Sequence, residues 1–382
     1  MRLRHPDGTT VHLSYCTNVH QAEDLDGIIA QLDRFAGPVR RRLGVPVLGL
    51  GLWLAAEVAR ALAADLGAAR RLGAELDSRG LEVVTLNAFP YRGFHDPVVK
   101  DRVYRPDWTT PARLRYTLDA ATVLSQLLPA DVCEGSMSTL PLAWREPWNP
   151  RRAAQARAHL AELAVGLAEL AATTGKSIRV GLEPEPGCVL TTVGDAVRHL
   201  GFVDPRWVGV CLDVCHLAVG FEEPADALTG LARAGLPVVK VQASSAMEAA
   251  DPADPATGKA LTEYHERRFL HQTSERGGGR VDDLFQARTG LPGRDTWRVH
   301  YHLPLHARPK PPLTGTTGVL ESALDLLFGG PLARTHHVEV ETYTWQVLPD
   351  RPIGDEGLAA GIAAELGWTR DRLVALGLKE EW

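Results

Sequence analysis

Short runs rich in Val, Ile and Leu alternate with longer Ala- and Leu-rich segments of helical period along most of the chain. Nine runs have the length and composition of strands, at residues 10–16, 46–54, 81–89, 131–140, 178–186, 208–216, 237–244, 297–305 and 336–344. Helical segments lie between them, including residues 54–78, 111–128, 151–174 and 195–200. This order predicts parallel strands that are joined by helical crossovers.

An open doubly wound sheet and a closed (β/α)8 barrel both satisfy this alternation. The strand count over 382 residues favours the barrel, and the phosphate-binding patterns GxGxxG and GxxxxGK[ST] are missing at the positions where open sheets carry them. We therefore predict one TIM-barrel domain over residues 1–382. One strand is surplus, and 297–305 is the best candidate because it carries His300 and His302 where barrel strands carry Val or Ile.

Composition narrows the biological setting. Lys and Arg number 41 against 47 Asp and Glu, so the formal net charge of −6 gives no basic field for a nucleic acid. Without an apolar leader or a run of about 18 apolar residues, we expect a cytoplasmic protein with no membrane span. The five cysteines are scattered and lack CxxC spacing, which is typical of reduced thiols in a core.

Residues 246–296 interrupt the alternation with a polar excursion that is far longer than a minimal barrel connection. Loops that follow barrel strands lie at the active face, so we expect this insertion to be a lid or cover at the barrel mouth. Its glycine run, Gly277 to Gly279, would be the hinge, and Arg267, Arg268 or His271 would contact an anionic or polyol ligand. The alternative is a contact surface for a partner protein.

Polar residues occur where the predicted strands end, which is the face that carries catalytic groups in TIM barrels. A single polar residue there is often only a helix cap or a turn residue. Several buried carboxylates around one mouth repel each other, and a divalent cation such as Mn²⁺, Mg²⁺, Co²⁺ or Zn²⁺ would stabilise the group. The strand-end residues are Asn18, His20, Asn87, Glu183, Glu185, Asp213, His216, Gln242, Glu339 and Glu341.

The order of these residues resembles the xylose isomerase-like TIM barrels, a superfamily of sugar isomerases, ketose 3-epimerases, inosose dehydratases and zinc endonucleases. A Glu on one strand is followed by "LDxxH", a polar strand end and a last Glu, between Glu183 and Glu341. Motifs such as "FPYRGFHDPVVKDRVYRPDW", "GSMSTLP", "CLDVCHLAVGFEEP" and "VETYTWQVLP" are similar to the EboE-type metabolite traffic branch. That branch belongs to gene clusters that handle secondary metabolites.

The resemblance implies roles for individual residues. The metal ligands would be Glu183, Asp213, Gln242 and Glu341. The catalytic groups would be Glu183 and Glu341 as an acid/base pair, with His216 contacting the substrate. Further substrate contacts are predicted for His20, Asn87, Glu185 and His302. Gln242 stands where epimerases place a histidine ligand, and its neutral amide oxygen is a weaker ligand, so His300 or His302 could compensate.

Three functions remain open on this evidence. The first is a metal-dependent isomerase or epimerase for a small polyhydroxy or hydroxy-carbonyl metabolite, with pathway proteins as further partners. The second is a barrel that binds and transfers a metabolite without converting it, since the fold alone does not imply catalysis. The third, an endonuclease-like hydrolase, needs a basic groove and a cluster of several histidines, whereas the predicted ligands are mostly carboxylates.

Overall fold

The computed structural model describes residues 1–381. Within this range, no helix combines the length and the apolar character that a membrane span requires. The described residues form fifteen strands: β1 (Arg2–Arg4), β2 (Thr10–Cys16), β3 (Leu48–Trp53), β4 (Leu81–Asn87), β5 (Glu134–Thr139), β6 (Ser177–Leu182), β7 (Val208–Asp213), β8 (Val238–Ala243), β9 (Met247–Ala249), β10 (Thr273–Glu275), β11 (Arg280–Val281), β12 (Trp297–Val299), β13 (Thr314–Gly315), β14 (His337–Val340) and β15 (Lys379–Glu381).

Eight of these strands form a closed parallel barrel in the order β2-β3-β4-β5-β6-β7-β8-β14. The barrel closes where β14 pairs in parallel with β8 on one side and with β2 on the other, for example Val340 with Ala243 and with Tyr15. Eight of the nine predicted runs supply these strands. The predicted (β/α)8 barrel is therefore confirmed.

Helices separate the barrel strands and cover the outside of the barrel. They are α1 (Leu25–Gln31), α2 (Gly37–Leu43), α3 (Ala56–Ala64), α4 (Leu66–Asp77), α5 (Pro111–Leu127), α6 (Pro150–Thr174), α7 (Val193–Leu200), α8 (Val214–Val219), α9 (Pro224–Ala234), α10 (Pro255–Glu263), α11 (Leu284–Gly290), α12 (Thr317–Phe328) and α13 (Gly354–Ala375). Local sequence sets their ends: Asn149 caps the amides at the start of α6, and Gly175 ends that helix in the left-handed conformation at φ 70°.

The excursion and the residues that follow it build a second, smaller sheet of five short strands in the order β11-β10-β12-β9-β13. The strand β12 (Trp297–Val299) pairs antiparallel with β10 and β9 in this sheet, so the surplus ninth run lies outside the barrel, as the sequence indicates. The residues Gly277–Gly279 lie between β10 and β11, which pair as an antiparallel hairpin. In this structure the glycine run closes a hairpin of the small sheet.

A buried ion pair occupies the barrel interior below the strand ends. Lys240 Nζ on β8 contacts Glu339 Oε2 on β14, and both side chains are fully buried. Gly51 on β3 makes room for this pair, because a Cβ atom at this position would lie 1.3 Å from Glu339 Oε1. The interior beneath the mouth is therefore filled by charged groups that compensate each other.

Candidate metal centre

Three carboxylates from three strand ends meet at the mouth of the barrel. Glu183 follows β6, Asp213 ends β7 and Glu341 follows β14. One oxygen from each lies within 4.8 Å of the other two, and all three side chains are buried. The barrel brings these residues together because the carboxyl ends of its parallel strands open on the same face.

The electrostatics of this cluster suit a divalent cation. Burial and repulsion from Glu341 and Asp213 raise the pKa of Glu183 well above its usual value. Burial and repulsion from Asp213 raise the pKa of Glu341 in the same direction. Glu183 Oε2 and Asp213 Oδ2 are buried and have no hydrogen-bond donor among the described residues. Oxygens of this kind fit a metal ion, which supplies the compensating positive charge.

Neighbouring polar groups fix two of the carboxylates in position. Glu341 Oε1 accepts hydrogen bonds from Asn18 Nδ2 at 2.7 Å and from Asn87 Nδ2 at 2.9 Å. Asp213 Oδ1 accepts from the His216 amide at 3.0 Å and from Ser244 Oγ at 2.8 Å. In each case one oxygen is held by the protein, so the second oxygen is available to a ligand.

Gln242 lies at the same level of the barrel as Asp213. On β8 it is in register with Asp213 of β7 and with Glu339 of β14. Its Oε1 and Nε2 atoms are buried without a hydrogen-bond partner among the described residues. At this position the side-chain amide could serve as a neutral metal ligand. The role of Gln242 as a metal ligand stays a prediction.

Three histidines form a second cluster beside the carboxylates. His216 Nε2 lies 3.0 Å from His300 Nε2, which lies 3.3 Å from His302 Nε2. His302 Nε2 is 3.9 Å from Asp213 Oδ2, so the two clusters share Asp213. Burial lowers the pKa of His216 to about 4, and burial also lowers the pKa values of His300 and His302. The three rings are therefore neutral at physiological pH.

Glu185 belongs to a hydrogen-bond chain on the other side of His300. Its Oε1 accepts from Tyr104 Oη at 2.7 Å, and Tyr104 Oη accepts from Gln272 Nε2 at 2.9 Å. Gln272 Oε1 lies 2.7 Å from His300 Nδ1. Burial raises the pKa of Glu185 to about 8. This carboxyl group can therefore carry a proton near neutral pH.

The cavity above the two clusters is lined by polar groups near the strand ends and by apolar side chains from the loops that follow them. Its floor contains Glu183, Glu341 and the three histidines. Lys100 lines its upper part, but its Nζ donates to the carbonyl of Phe269 at 2.6 Å and is tied to Asp283. Seven apolar residues of the lining come from loops beyond the strand ends: Phe89, Pro90, Phe94, Val99, Val103, Phe269 and Leu270. A ligand here meets both charged groups and apolar side chains.

Comparison with known proteins places the chain in a family. The family model described as the xylose isomerase-like TIM barrel matches residues 42–270. The chain belongs to the xylose isomerase-like TIM barrel family. A comparison of the chain with curated proteins found no match.

Solved structures are similar to this chain at low sequence identity. A D-psicose 3-epimerase from Clostridium cellulolyticum H10, solved with D-tagatose, is 13% identical, with a TM-score of 0.51 over 95% of this chain and 99% of that chain. A xylose isomerase-like protein from Mycobacterium smegmatis in complex with magnesium is 15% identical, with a TM-score of 0.49 over 97% of this chain and 94% of that chain. At 13% identity the likeness to the D-psicose 3-epimerase concerns the fold.

The structure places the predicted substrate-contacting residues in different surroundings. Asn87, Glu185 and His302 line the cavity, as does His216. His20 lies outside this cavity, and its contact with a substrate stays a prediction. Its ring stacks on Phe35 at 4.1 Å between centroids, and its Nε2 lies 3.1 Å from Tyr15 Oη. The short 3-10 turn Thr17–Val19 after β2 leaves Asn18 at the mouth and carries His20 away from it.

Sequence reasoning missed several residues of this xylose isomerase-like site. Ser244 and Tyr104 were not assigned a role, although they hold Asp213 and Glu185. The expectation of a mostly carboxylate site was incomplete, because three histidines meet beside the carboxylates. The "HYH" spacing places His300 and His302 two residues apart, which is a signal for a shared face, but only the fold brings His216 next to them.

Proposed function

We propose that the protein is a metal-dependent isomerase or epimerase that acts on a small hydroxy-carbonyl compound. The observation that carries this proposal is the meeting of Glu183, Asp213 and Glu341 at one buried point of the barrel mouth. These three residues, with Gln242 as a neutral fourth group, would hold the cation. A bound divalent cation would polarise the oxygens of the substrate and make the neighbouring C–H bond more acidic.

The protein's own groups would move the proton. Glu183 and Glu341 come from strands on different sides of the mouth, so each can face one side of a substrate carbon. One carboxylate removes the proton from this carbon while the C–H electron pair moves toward the carbonyl, and the other returns a proton on the opposite face. Asn18 and Asn87 hold one oxygen of Glu341 and thereby orient the other.

His216 and Glu185 would support this step. His216 lines the cavity and its Nδ1 lies 3.7 Å from Glu183 Oε1, so it stands beside the proposed acid/base group. Glu185, whose pKa is raised to about 8 by burial, can exchange a proton with the substrate near neutral pH. Both residues are proposed to contact the substrate, together with Asn87 and His302.

The apolar side chains that line the cavity favour a substrate that is polar at one end only. The D-psicose 3-epimerase that shares the fold was solved with the sugar D-tagatose. A sugar carries hydroxyl groups along its whole length, and burying them against Phe89, Phe94 and Phe269 would leave hydrogen bonds unmade. We therefore propose a hydroxy-carbonyl head group attached to an apolar body, as in a secondary metabolite.

Solvent exchange tests the proposal. The protein would be incubated in D₂O with Mn²⁺, Mg²⁺, Co²⁺ or Zn²⁺ and with a panel of ketoses and hydroxy-ketones that bear alkyl or aryl groups. Deuterium incorporation next to the carbonyl should occur, and Glu183→Gln and Glu341→Gln should each reduce it at least 100-fold. Glu57→Gln, an exposed carboxyl on α3, is the control and should have no effect.

Two outcomes would contradict the proposed reaction. Equal exchange in the wild type and in both Gln variants would assign the proton transfer to other groups. Tight binding of a panel compound without any exchange would instead support the alternative of a barrel that binds and transfers a metabolite.

A further inference from the structure

A second cavity lies next to the excursion and is separate from the cavity at the barrel mouth. It has a volume of about 380 Å³ and is lined by residues that follow β2 and β14 and by Arg268 of the excursion. Phe269, the next residue in the chain, lines the cavity at the barrel mouth instead. We call the second space the arginine cavity, because Arg34, Arg268 and Arg351 line it.

The lining of the arginine cavity carries an excess of positive charge. Its three arginines are accompanied by a single carboxylate, Asp355, and Arg34 Nη2 donates to Asp355 Oδ1 at 2.8 Å. Arg268 has only an amide acceptor, because its Nη1 donates to Gln346 Oε1 at 3.2 Å. Arg351 is exposed and has no carboxylate partner among residues 1–381. Two guanidinium groups of the lining are therefore left without a carboxylate.

His20 adds a buried polar atom that lacks a partner. The residue lines the arginine cavity and is 3% exposed, and its Nδ1 has no hydrogen-bond partner among the described residues. Its Nε2 lies 3.1 Å from Tyr15 Oη. If the Tyr15 hydroxyl donates to Nε2, only the Nδ1–H group stays unpaired, whereas the reverse arrangement also leaves the hydroxyl proton unpaired. The favoured tautomer therefore has its proton on Nδ1, and an anion oxygen would satisfy this donor.

The start of α13 adds further donors to the same cavity. This helix has 22 residues, and its first two, Gly354 and Asp355, line the cavity. No side chain caps its first amides. Uncapped amides at the start of a helix carry a partial positive charge, so an anion near them is stabilised. The helix and the arginines therefore favour the same kind of ligand.

We propose that the arginine cavity binds the phosphate group of a small molecule. Guanidinium groups present parallel N–H donors that match phosphate oxygens in pairs, and a dianion would compensate the two arginines that lack a carboxylate. A volume of about 380 Å³ exceeds what a free phosphate ion fills and lies in the range of small-molecule sites, so the ligand is a phosphate ester. This site does not depend on the proposed reaction at the barrel mouth.

The position of the site gives the ligand a structural effect. Arg268 belongs to the excursion, Arg34 lies between α1 and α2, and Arg351 lies between β14 and α13. The sequence predicts that Arg268 contacts an anionic or polyol ligand, and the structure places this residue in the lining of the arginine cavity. A phosphate bound there would tie the excursion to the helices around the barrel.

Calorimetric titration of the full chain without added metal tests this assignment. Glycerol 3-phosphate and inorganic phosphate are the probes, and the ester should bind at one site per chain and more tightly than the free ion. Arg268→Gln and Arg351→Gln should each weaken binding roughly tenfold, because each removes a charged donor. Arg115→Gln removes the same charge from an exposed position on α5 and should leave binding unchanged. Glu341→Gln should also bind like the wild type, because it alters only the barrel mouth.

Chemical modification of the wild type covers the case in which a variant does not fold. Phenylglyoxal reacts with arginine side chains, and glycerol 3-phosphate should slow its reaction with Arg268 and Arg351 but not with Arg115. No protection of Arg268 and Arg351, or unchanged binding in both of their Gln variants, would overturn the site. Binding that is lost only in Glu341→Gln would place the phosphate at the barrel mouth and would also overturn it. Tighter binding of inorganic phosphate than of the ester would overturn the assignment to an ester.

Discussion

His20 and His216 both follow barrel strands and both are buried, but they contact different groups. His216 faces Glu183 and two other histidines at the barrel mouth, whereas His20 packs between Phe35 and Tyr15 beneath α1 and α2. Residue type and position after a strand are the same for the two. The direction in which the backbone leaves the strand decides which of them lines the cavity at the barrel mouth.

Burial of His20 predicts a measurable pH dependence of stability. Burial lowers the pKa of His20 to about 3, whereas an unfolded histidine titrates near about 6.5. Between these values the unfolded chain binds more protons, so stability falls as the pH is lowered. At pH 5 this residue should destabilise the fold by about 2 kcal/mol relative to pH 7. The difference in unfolding free energy between pH 7 and pH 5 should therefore shrink by this amount in His20→Phe.

Tyr15→Phe is the control for that experiment. It removes the same hydrogen bond to His20 but retains the imidazole, so its urea-unfolding curves should keep the wild-type pH dependence. If His20→Phe and the wild type lose the same free energy on going to pH 5, His20 is not the group that is protonated on unfolding.

The strand ends show how much of the site can be predicted from the sequence. The period and length of the apolar runs predict the barrel strands, and a parallel barrel places Glu183, Asp213 and Glu341 on one face whatever its helices do. The small sheet could not be predicted in this way, because its short strands pair across long stretches of chain, as Val299 does with Met247 and Thr273. The position of His300 depends on these pairings.

The buried ion pair between β8 and β14 leads to a prediction about the stability of the protein. Burial alone would lower the pKa of Lys240, but the adjacent Glu339 carboxylate outweighs this effect and raises it. Lys240→Met should destabilise the protein by about 3–5 kcal/mol because it leaves a buried carboxylate without a partner. The double variant Lys240→Met with Glu339→Gln should recover part of this loss in urea unfolding.

An exposed ion pair provides the comparison. Arg34 and Asp355 are both largely exposed, so Arg34→Met should reduce stability far less than Lys240→Met. A double variant that is less stable than Lys240→Met alone would show that Glu339 does not need its charge compensated, and would contradict the explanation.

At the scale of the whole molecule, the small sheet is attached to the loops at the barrel mouth. The amides of Val99 and Lys100 each donate to the carbonyl of Arg268 at 2.8 Å. Phe269 contacts both Phe94 and Tyr343, with ring centroids 5.2 and 4.9 Å apart. The excursion therefore contributes to the wall of the cavity, and its action as a lid, like membership of the EboE-type branch, stays a prediction.

Limited trypsin digestion tests whether the excursion acts as a lid. Cleavage after the exposed Arg267 requires local opening of the segment that is anchored next to it at Arg268. If a hydroxy-ketone of the panel and Mn²⁺ bind together in the cavity beneath this segment, cleavage after Arg267 should slow, because binding opposes the opening.

Cleavage within α6, on the outside of the barrel, serves as the internal reference and should not respond to the ligand. If the ligand slows cleavage in both regions equally, it stabilises the whole fold and does not close the excursion in particular. If it slows cleavage in neither region, the excursion does not act as a lid over the cavity.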